Sequence, residues 1–218
     1  AADLDVMAVK TGMLGDTATV DAVVDILSRL SFGPIVVDPV MVATSGDVLL
    51  TPDAIVAVRE RLIPLATLIT PNLHEAAQLL DEPVATTVAG MEAQGRRLLR
   101  VGTRAALVKG GHSTGDMAID VLVTASEVSQ HAAPRIETRN THGTGCTLSA
   151  AITAELAMGE VRLDAAVARA MHDAQVEIEP DVRTTSVDPI GEFIDSDKAL
   201  DVASQHGLTE PDSIAMGL

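Results

Sequence analysis

The stretch Ile35–Met41 reads IVVDPVM: three β-branched aliphatic residues, then an aspartate and a proline. An unbroken apolar run is typical of a strand buried on both faces, as in a parallel sheet covered by helices. The strand is predicted at Ile35–Asp38. Three other runs have the same character and are predicted as strands: Val6–Lys10 (VMAVK), Thr67–Thr70 (TLIT) and Ala105–Lys109 (AALVK).

Segments with helical spacing of apolar residues separate these runs. The predicted helices are Thr17–Leu30, Pro52–Leu62, Leu73–Leu80, Thr86–Val101, Gly143–Met158 and Leu163–Gln175. Thr51 before a proline predicts an N-cap, and Asn72 with Glu75 predicts a capping box. Ala118–Thr124 is a further predicted strand, paired with the preceding strand through the turn Gly110–Asp116. This alternation predicts a three-layer α/β/α sandwich with a mostly parallel central sheet.

Composition excludes several classes of protein. The 218 residues are 47% hydrophobic and 21% charged, which predicts a folded, soluble protein. Fifteen basic against 31 acidic residues give a net charge of −16, which repels nucleic-acid backbones and anionic membrane surfaces. The only aromatic residues are Phe32 and Phe193, so stacking on bases is not expected either.

Cysteine usage and the N-terminal sequence indicate a compartment. Cys146 is the only cysteine, which excludes an internal disulfide and fits a reducing environment. No apolar run approaches the roughly 20 residues of a membrane span, and no signal peptide is visible. We therefore expect a cytoplasmic protein.

The acidity is concentrated at the C-terminal end. Residues 173–218 contain 11 acidic and 2 basic residues and few long apolar periodic segments, apart from a possible short helix at Asp197–Gln205. We predict one domain over residues 1–172 and an acidic extension over residues 173–218.

Chemistry-bearing residues follow the predicted strands, where ligands of open α/β sheets bind. Asp38 and Glu75 are carboxylates at the ends of neighbouring strands and could hold Mg²⁺ directly or through water. Alternatively, Asp38 caps a turn and Glu75 only completes its capping box. Lys109 ends an apolar strand, so it needs either an anionic ligand or a buried carboxylate as its partner.

The segment Asn140–Thr147 (NTHGTGCT) opens a predicted helix with two glycines. Glycines and a helix N-terminus together form an anion hole, so the amides of Thr144, Gly145 and Cys146 could cradle a phosphate. The alternative is a glycine turn that only starts a helix.

Cys146 lies within this segment, and a thiol at a helix N-terminus is expected to have a depressed pKa. It could act as a nucleophile, as a general base or as a small apolar filler. A nucleophilic pair with His142 is a further, weaker alternative, since no third orienting group is identifiable.

These motifs together resemble the ribokinase superfamily, and within it the hydroxymethylpyrimidine/phosphomethylpyrimidine kinases of thiamine biosynthesis. The matching segments are Val9–Asp16 (VKTGMLGD), Val36–Leu50 (VVDPVMVATSGDVLL), Thr70–Leu80 (TPNLHEAAQLL), Ala106–His112 (ALVKGGH) and Asn140–Ile152 (NTHGTGCTLSAAI). The resemblance extends from about Asp3 to Ala170. The cysteine of GTGC, where sugar kinases of the superfamily usually carry aspartate, is typical of the pyrimidine kinases.

The resemblance implies ATP- and Mg²⁺-dependent phosphorylation of hydroxymethylpyrimidine and then of its monophosphate. It implies that Cys146 is the base, with Gly143, Thr144 and Gly145 completing the anion hole. Phosphate contacts would come from Lys109, Thr141 and Thr144. The resemblance further implies Mg²⁺ at Asp38 and Glu75, and a pyrimidine pocket at Met13 and Val40.

The sequence begins just before the family's VKTGML strand, so we expect the sheet to lack the family's N-terminal strands. An uncovered sheet edge favours association, and we expect a homo-oligomer, most simply a dimer. Three alternative functions stay open: a non-catalytic nucleotide-binding relative, a pyridoxal kinase of the same superfamily, and a thiol-dependent transferase that uses Cys146.

Overall fold

In this computed structural model, the structure describes residues 5–30, 32–41, 49–111, 117–134 and 143–178. They form a six-stranded sheet with the strands in chain order. Strands β1 to β4 are parallel, whereas β5 and β6 are antiparallel additions. The strands are β1 (Val9–Thr11), β2 (Ile35–Val37), β3 (Leu68–Ile69), β4 (Ala105–Val108), β5 (Met117–Thr124) and β6 (Val128–Pro134).

Six α-helices accompany these strands. They are α1 (Thr17–Arg29), α2 (Pro52–Ala57), α3 (Leu73–Leu80), α4 (Val88–Val101), α5 (Thr144–Ala157) and α6 (Leu163–Ile178). Each parallel strand lies one step further along the sheet than the last. Because crossovers between parallel strands are right-handed, the connecting helices α1 to α4 all lie on one face. The antiparallel hairpin of β5 and β6 follows, and α5 and α6 then cover the other face of the sheet.

The two faces carry separate hydrophobic cores, as a three-layer sandwich requires. On one face, Val37 and Ile69 of the sheet pack with residues of α1 to α4 such as Val20 and Leu98. On the other face, alternate strand residues such as Leu107 pack against α5 and α6. The predicted α/β/α sandwich with a mostly parallel sheet is therefore confirmed.

Several predicted boundaries are wrong. The strand predicted at Val6–Lys10 starts at Val9, because pairing with β2 begins only where Val9 faces Ile35. The helix predicted over Pro52–Leu62 ends at Ala57 and continues as a π-helical turn, Val58–Leu62. Apolar periodicity does not distinguish such a turn from an α-helix. The other predicted elements differ from the structure by one to three residues at an end, except Leu73–Leu80, which agrees at both.

Strand β6 is absent from the prediction. Its sequence, VSQHAAP, contains few large apolar residues and is mostly exposed or half-buried, as befits an edge strand. The predicted pairing of β5 with β4 is confirmed, although most of the turn between them lies outside the described residues.

Helix α6 continues to Ile178, beyond the predicted domain boundary at residue 172. The possible helix at Asp197–Gln205 lies outside the described residues, and the division into a domain and an acidic extension stays a prediction. Among the described residues, no helix has the length and apolar character needed to span a membrane.

Candidate active site

Asp38 directly follows β2 and is 2% exposed. Its Oδ1 accepts hydrogen bonds from Thr70 Oγ1 and from Lys109 Nζ, each at 3.1 Å. Its Oδ2 accepts one from Ser149 Oγ at 3.0 Å. The donors come from the ends of β3 and β4 and from α5. The carboxylate therefore joins the carboxyl ends of three strands to the helix that covers them.

Lys109 follows β4 and stands beside the N-terminus of α5. Its backbone N–H bonds to Pro71 O at 2.8 Å, which aligns the end of β4 with the chain after β3. A methyl group added at Gly145 would lie 3.1 Å from Lys109 Nζ, so the ammonium group stands against the first turn of α5. Of the two partners considered for Lys109, the structure provides the buried carboxylate, Asp38.

Gly110, the next residue, is held by β5. Its N–H donates to Asp120 Oδ1 at 2.8 Å. A Cβ at Gly110 would lie only 2.0 Å from the backbone oxygen of Ile119, so only glycine fits at this close approach. Burial raises the pKa of the Asp120 carboxyl, whereas the hydrogen bond from Gly110 and the charge of Lys109 lower it. Asp120 therefore fixes the backbone that carries Lys109.

Glu75 completes the predicted capping box. Asn72 N–H donates to Glu75 Oε2 at 2.8 Å, and Glu75 N–H donates to Asn72 Oδ1 at 2.9 Å. The side chain is also buried, and this burial raises its pKa, which Lys109 opposes and Asp38 reinforces. Glu75 thus caps α3 and also belongs to the same electrostatic cluster as Asp38 and Lys109.

The N-terminus of α5 differs from those of the four preceding helices. Helices α1 to α4 each begin with a side-chain cap, from Asp16, Thr51, Asn72 and Thr87 respectively. The N-cap residue of helix α5 is Gly143, with φ 79°, and no side chain provides a cap hydrogen bond. The first turn therefore retains the partial positive charge of a helix start beside Lys109. Thr141 and His142 lie outside the described residues.

The expected depressed pKa of Cys146 is wrong. Burial is the largest effect and raises the pKa of this thiol, and the charge of Asp38 raises it further. Lys10 and Lys109 lower it, but by less. The helix N-terminus alone does not decide thiolate character when the same position withdraws the thiol from water.

The two predicted pyrimidine contacts, Met13 and Val40, do not line the same cavity in the structure. Val40 lines a cavity with Gly12, Asp38 and apolar residues. The volume of this cavity that the centre of a water molecule can occupy is only about 10 Å³. That volume admits one water and no pyrimidine ring. Met13 is 55% exposed and does not line it. A larger cavity lies at the opposite end of the strands, around Phe32 and Arg104, away from the charged cluster.

Sequence reasoning missed four residues of this site: Lys10, Thr70, Asp120 and Ser149. Lys10 had a visible signal, since it is a charged residue inside an apolar run. Asp120 had the same signal within the fifth predicted strand. Thr70 and Ser149 had none, because a serine in a helix or a threonine in a strand is ordinary.

The sequence and the fold of the chain are similar to those of known proteins. A profile of the family described as phosphomethylpyrimidine kinase matches residues 1–187. The chain belongs to this family. A hydroxymethylpyrimidine/phosphomethylpyrimidine kinase of Rhizobium meliloti is 52% identical over 164 residues, which are 75% of this chain and 61% of the relative. The chain thus spans about three-fifths of that protein's length.

Solved structures of the same fold are also similar. A phosphomethylpyrimidine kinase of Clostridium difficile is 34% identical with a TM-score of 0.71, covering 82% of this chain and 71% of that one. The ADP complex of a Bacillus subtilis pyridoxal kinase is 36% identical with a TM-score of 0.70, covering 78% and 62%. The fold is therefore that of the ribokinase-like vitamin kinases.

The pairing of Asp38 with Lys109 generates an asymmetric stability prediction. Lys109→Met leaves the buried Asp38 carboxylate without its closest cation, and we expect a loss of about 3 kcal/mol in the free energy of unfolding. Asp38→Asn should cost less, because Lys109 is 13% exposed and its ammonium group can reach water. The double variant Asp38→Asn/Lys109→Met should recover most of the loss. Urea unfolding of the four proteins measures these values, and strictly additive losses would contradict the coupling.

Proposed function

We propose that this chain transfers the γ-phosphoryl group of ATP to the hydroxymethyl oxygen of 4-amino-5-hydroxymethyl-2-methylpyrimidine, and then to the resulting monophosphate. The observation that carries the proposal is the convergence of Lys109, Asp38 and the start of α5 at one sheet edge. Family membership and the names of the relatives support the choice of acceptor.

Phosphoryl transfer requires mainly positioning and neutralisation of charge. The acceptor oxygen forms a bond to the γ-phosphorus while the bond to the β,γ-bridging oxygen breaks, and ADP leaves. Lys109 would contact the phosphates together with Thr141 and Thr144. The backbone of Gly143, Thr144, Gly145 and Cys146 would hold the transferring group, because the glycine start leaves this turn without a side-chain cap.

Cys146 would take the proton of the hydroxymethyl group as a thiolate. Its raised pKa means that only a small fraction is ionised at neutral pH in the free protein. Two lysines, Lys10 and Lys109, oppose this shift, but each lowers the pKa of the thiol by less than burial raises it. When the monophosphate is the acceptor, its phosphate oxygen attacks and no hydroxyl proton has to be removed.

Mg²⁺ would be held by Asp38 and Glu75. Buried carboxylates are the hard oxygen ligands that this ion prefers, but both groups already accept hydrogen bonds. The described residues therefore fit the ion through its bound waters rather than by replacing these partners. Bound Mg²⁺ would neutralise charge on the phosphates.

The pyrimidine would lie near Met13 and Val40, on the β1–β2 side of the cluster. The cavity at Val40 is smaller than the ring, so the acceptor would rest outside it.

We also propose that the chain acts in the cytoplasm as a homodimer. Static light scattering would test the dimer, and a stable monomer at micromolar concentration would contradict it.

A pyridoxal kinase is a second candidate, favoured by the similarity to the Bacillus subtilis enzyme. A coupled assay of ADP release with ATP and Mg²⁺ discriminates the candidates. We expect turnover with hydroxymethylpyrimidine, little with pyridoxal, none without an acceptor and none with EDTA. A greater kcat/KM for pyridoxal would favour the second candidate.

The same assay tests the remaining alternatives. No turnover, with ATP still raising the melting temperature, would indicate a nucleotide-binding relative without activity. A covalent adduct on Cys146 formed without ATP would indicate a thiol-dependent transferase. Either result would contradict the proposed kinase.

The assignment of Cys146 as base generates a prediction in two parts. Cys146→Ala should lower kcat for the alcohol by about 10²- to 10⁴-fold, with the KM for ATP nearly unchanged. In the unsubstituted protein, log kcat for the alcohol should rise with pH between about 7 and 9, because the raised pKa leaves the thiol mostly protonated there.

The monophosphate acceptor is the internal control for this prediction, since its reaction needs no base at Cys146. Its rate should lack the rise with pH and should be less sensitive to Cys146→Ala. A loss of less than about threefold with the alcohol would refute the assignment.

A further inference from the structure

Lys10 is a cation that the proposed reaction leaves without a binding role of its own. It is the middle residue of β1, on the face opposite Val9, which packs into the core of α1 to α4. Lys10 therefore faces the α5 side of the sheet. Its side chain is 23% exposed, and its Nζ lies 3.9 Å from Asp38 Oδ2. Among the described residues, no acceptor lies within hydrogen-bond distance of this ammonium group.

Asp38 does not need Lys10 as a hydrogen-bond donor. Its two oxygens already accept bonds from Thr70, Lys109 and Ser149 at 3.0 to 3.1 Å. The other buried carboxylates, Glu75 and Asp120, are influenced by Lys109 and not noticeably by Lys10. One buried carboxylate thus has two ammonium groups beside it, and Lys10 is the one that donates no hydrogen bond within the described residues.

The two lysines stand beside different oxygens of Asp38, Lys109 at Oδ1 and Lys10 at Oδ2. Lys109 comes from β4 and lies against Gly145, which places it on the side proposed for ATP. Lys10 comes from β1, which flanks β2 on the side away from β3 and β4. Its Nζ lies 3.7 Å from the position of a Cβ added at Gly12. Gly12 borders the small cavity at Val40, and the charge of Lys10 acts on Cys146, the proposed base, so Lys10 lies near the proposed position of the acceptor oxygen.

The next residue of the same strand, Thr11, lies on the opposite face from Lys10, together with Val9. The hydroxyl group of Thr11 is buried and has no hydrogen-bond partner within the part of the chain that the structure describes. The Thr11 hydroxyl therefore does not converge with Lys10, and the ammonium group beside Asp38 is the donor available on the α5 side of β1. Lys10 is only 23% exposed, so its ammonium group is partly withdrawn from water, and an anionic ligand beside it would offset that cost.

We propose that Lys10 binds the phosphate group of the monophosphate acceptor and so favours the second phosphorylation. This inference rests on the proposed function. In that step a phosphate oxygen of the acceptor forms the new bond to the γ-phosphorus, the bond to the β,γ-bridging oxygen breaks, and ADP leaves with that electron pair. Two anionic groups must then approach each other, and an ammonium group beside the acceptor phosphate offsets their repulsion. The alcohol carries no charge, so its reaction needs Lys10 much less.

The test compares both acceptors in Lys10→Met and Lys10→Arg at saturating ATP and Mg²⁺. Methionine preserves the apolar stem and removes the charge, whereas arginine preserves the charge. In Lys10→Met we expect kcat/KM for the monophosphate to fall about 10- to 100-fold, as for the loss of one charge-assisted hydrogen bond. Its fall for the alcohol, which comes only from the loss of a charge that favours the Cys146 thiolate, should stay within a few fold. Lys10→Arg should restore most of the activity with the monophosphate.

Two controls separate this role from others. Lys109→Met should raise the KM for ATP with both acceptors alike, because Lys109 lies on the donor side. Arg100→Met, an exposed cation near the end of α4, should change neither acceptor. Equal losses with both acceptors in Lys10→Met, or a lowered melting temperature without acceptor dependence, would show that Lys10 is only a counter-ion of Asp38.

A measurement of monophosphate binding tests the role of Lys10 without requiring turnover. Titration calorimetry of the monophosphate into the unsubstituted protein and into Lys10→Met should show about tenfold or greater weakening. Equal affinity would overturn the assignment of Lys10. If the unsubstituted protein turns over neither acceptor, the proposed function fails, and this binding comparison alone decides the role of Lys10.

Discussion

The buried carboxylate of Asp38 is the interaction on which the site depends. A charge that is 2% exposed persists only if donors surround it, and here they come from Thr70 after β3, Lys109 after β4 and Ser149 in α5. Ser149 is 111 residues away along the chain. Satisfying one carboxylate therefore fixes the ends of neighbouring strands and the helix above them in one arrangement. The same arrangement determines where a phosphate group can be met by cations.

The side chain that pairs with Asp38, that of Lys109, is also the one proposed to bind phosphate. Lys109 is held by Asp38 through its Nζ and, through the backbone, by Pro71, while Asp120 holds the adjacent Gly110. An ammonium group fixed in this way needs little reorganisation when an anion arrives, which is how preorganised charge contributes to phosphoryl transfer. The uncapped start of α5 adds the positive end of a helix dipole to the same place. The stability of the fold and the electrostatics of the site are thus properties of one cluster.

Cys146 shows how local rules and tertiary environment compete. A helix N-terminus favours a thiolate, and two lysines lie close enough to lower its pKa. Burial and the Asp38 carboxylate nevertheless dominate and raise that pKa. A sequence motif reports the helix start but not the depth at which it is buried or the charges brought beside it. The chemistry of this cysteine is therefore controlled by the same cluster that holds Lys109.

The sequence by itself determined the layer architecture, because uninterrupted apolar runs alternating with helical spacing can be buried only between two layers of helices. It also determined that Asp38, Glu75 and Lys109 would gather at one edge, since parallel strands end on the same side. The capping box at Asn72 was equally visible, because all its groups lie within four residues. Only the tertiary structure decided that Ser149 and Thr70 saturate Asp38, that Lys10 stands beside it without donating a hydrogen bond within the described residues, and that Asp120 fixes Gly110. These contacts join residues far apart in the chain, and their distances, burial and pKa shifts arise from packing that no local pattern encodes.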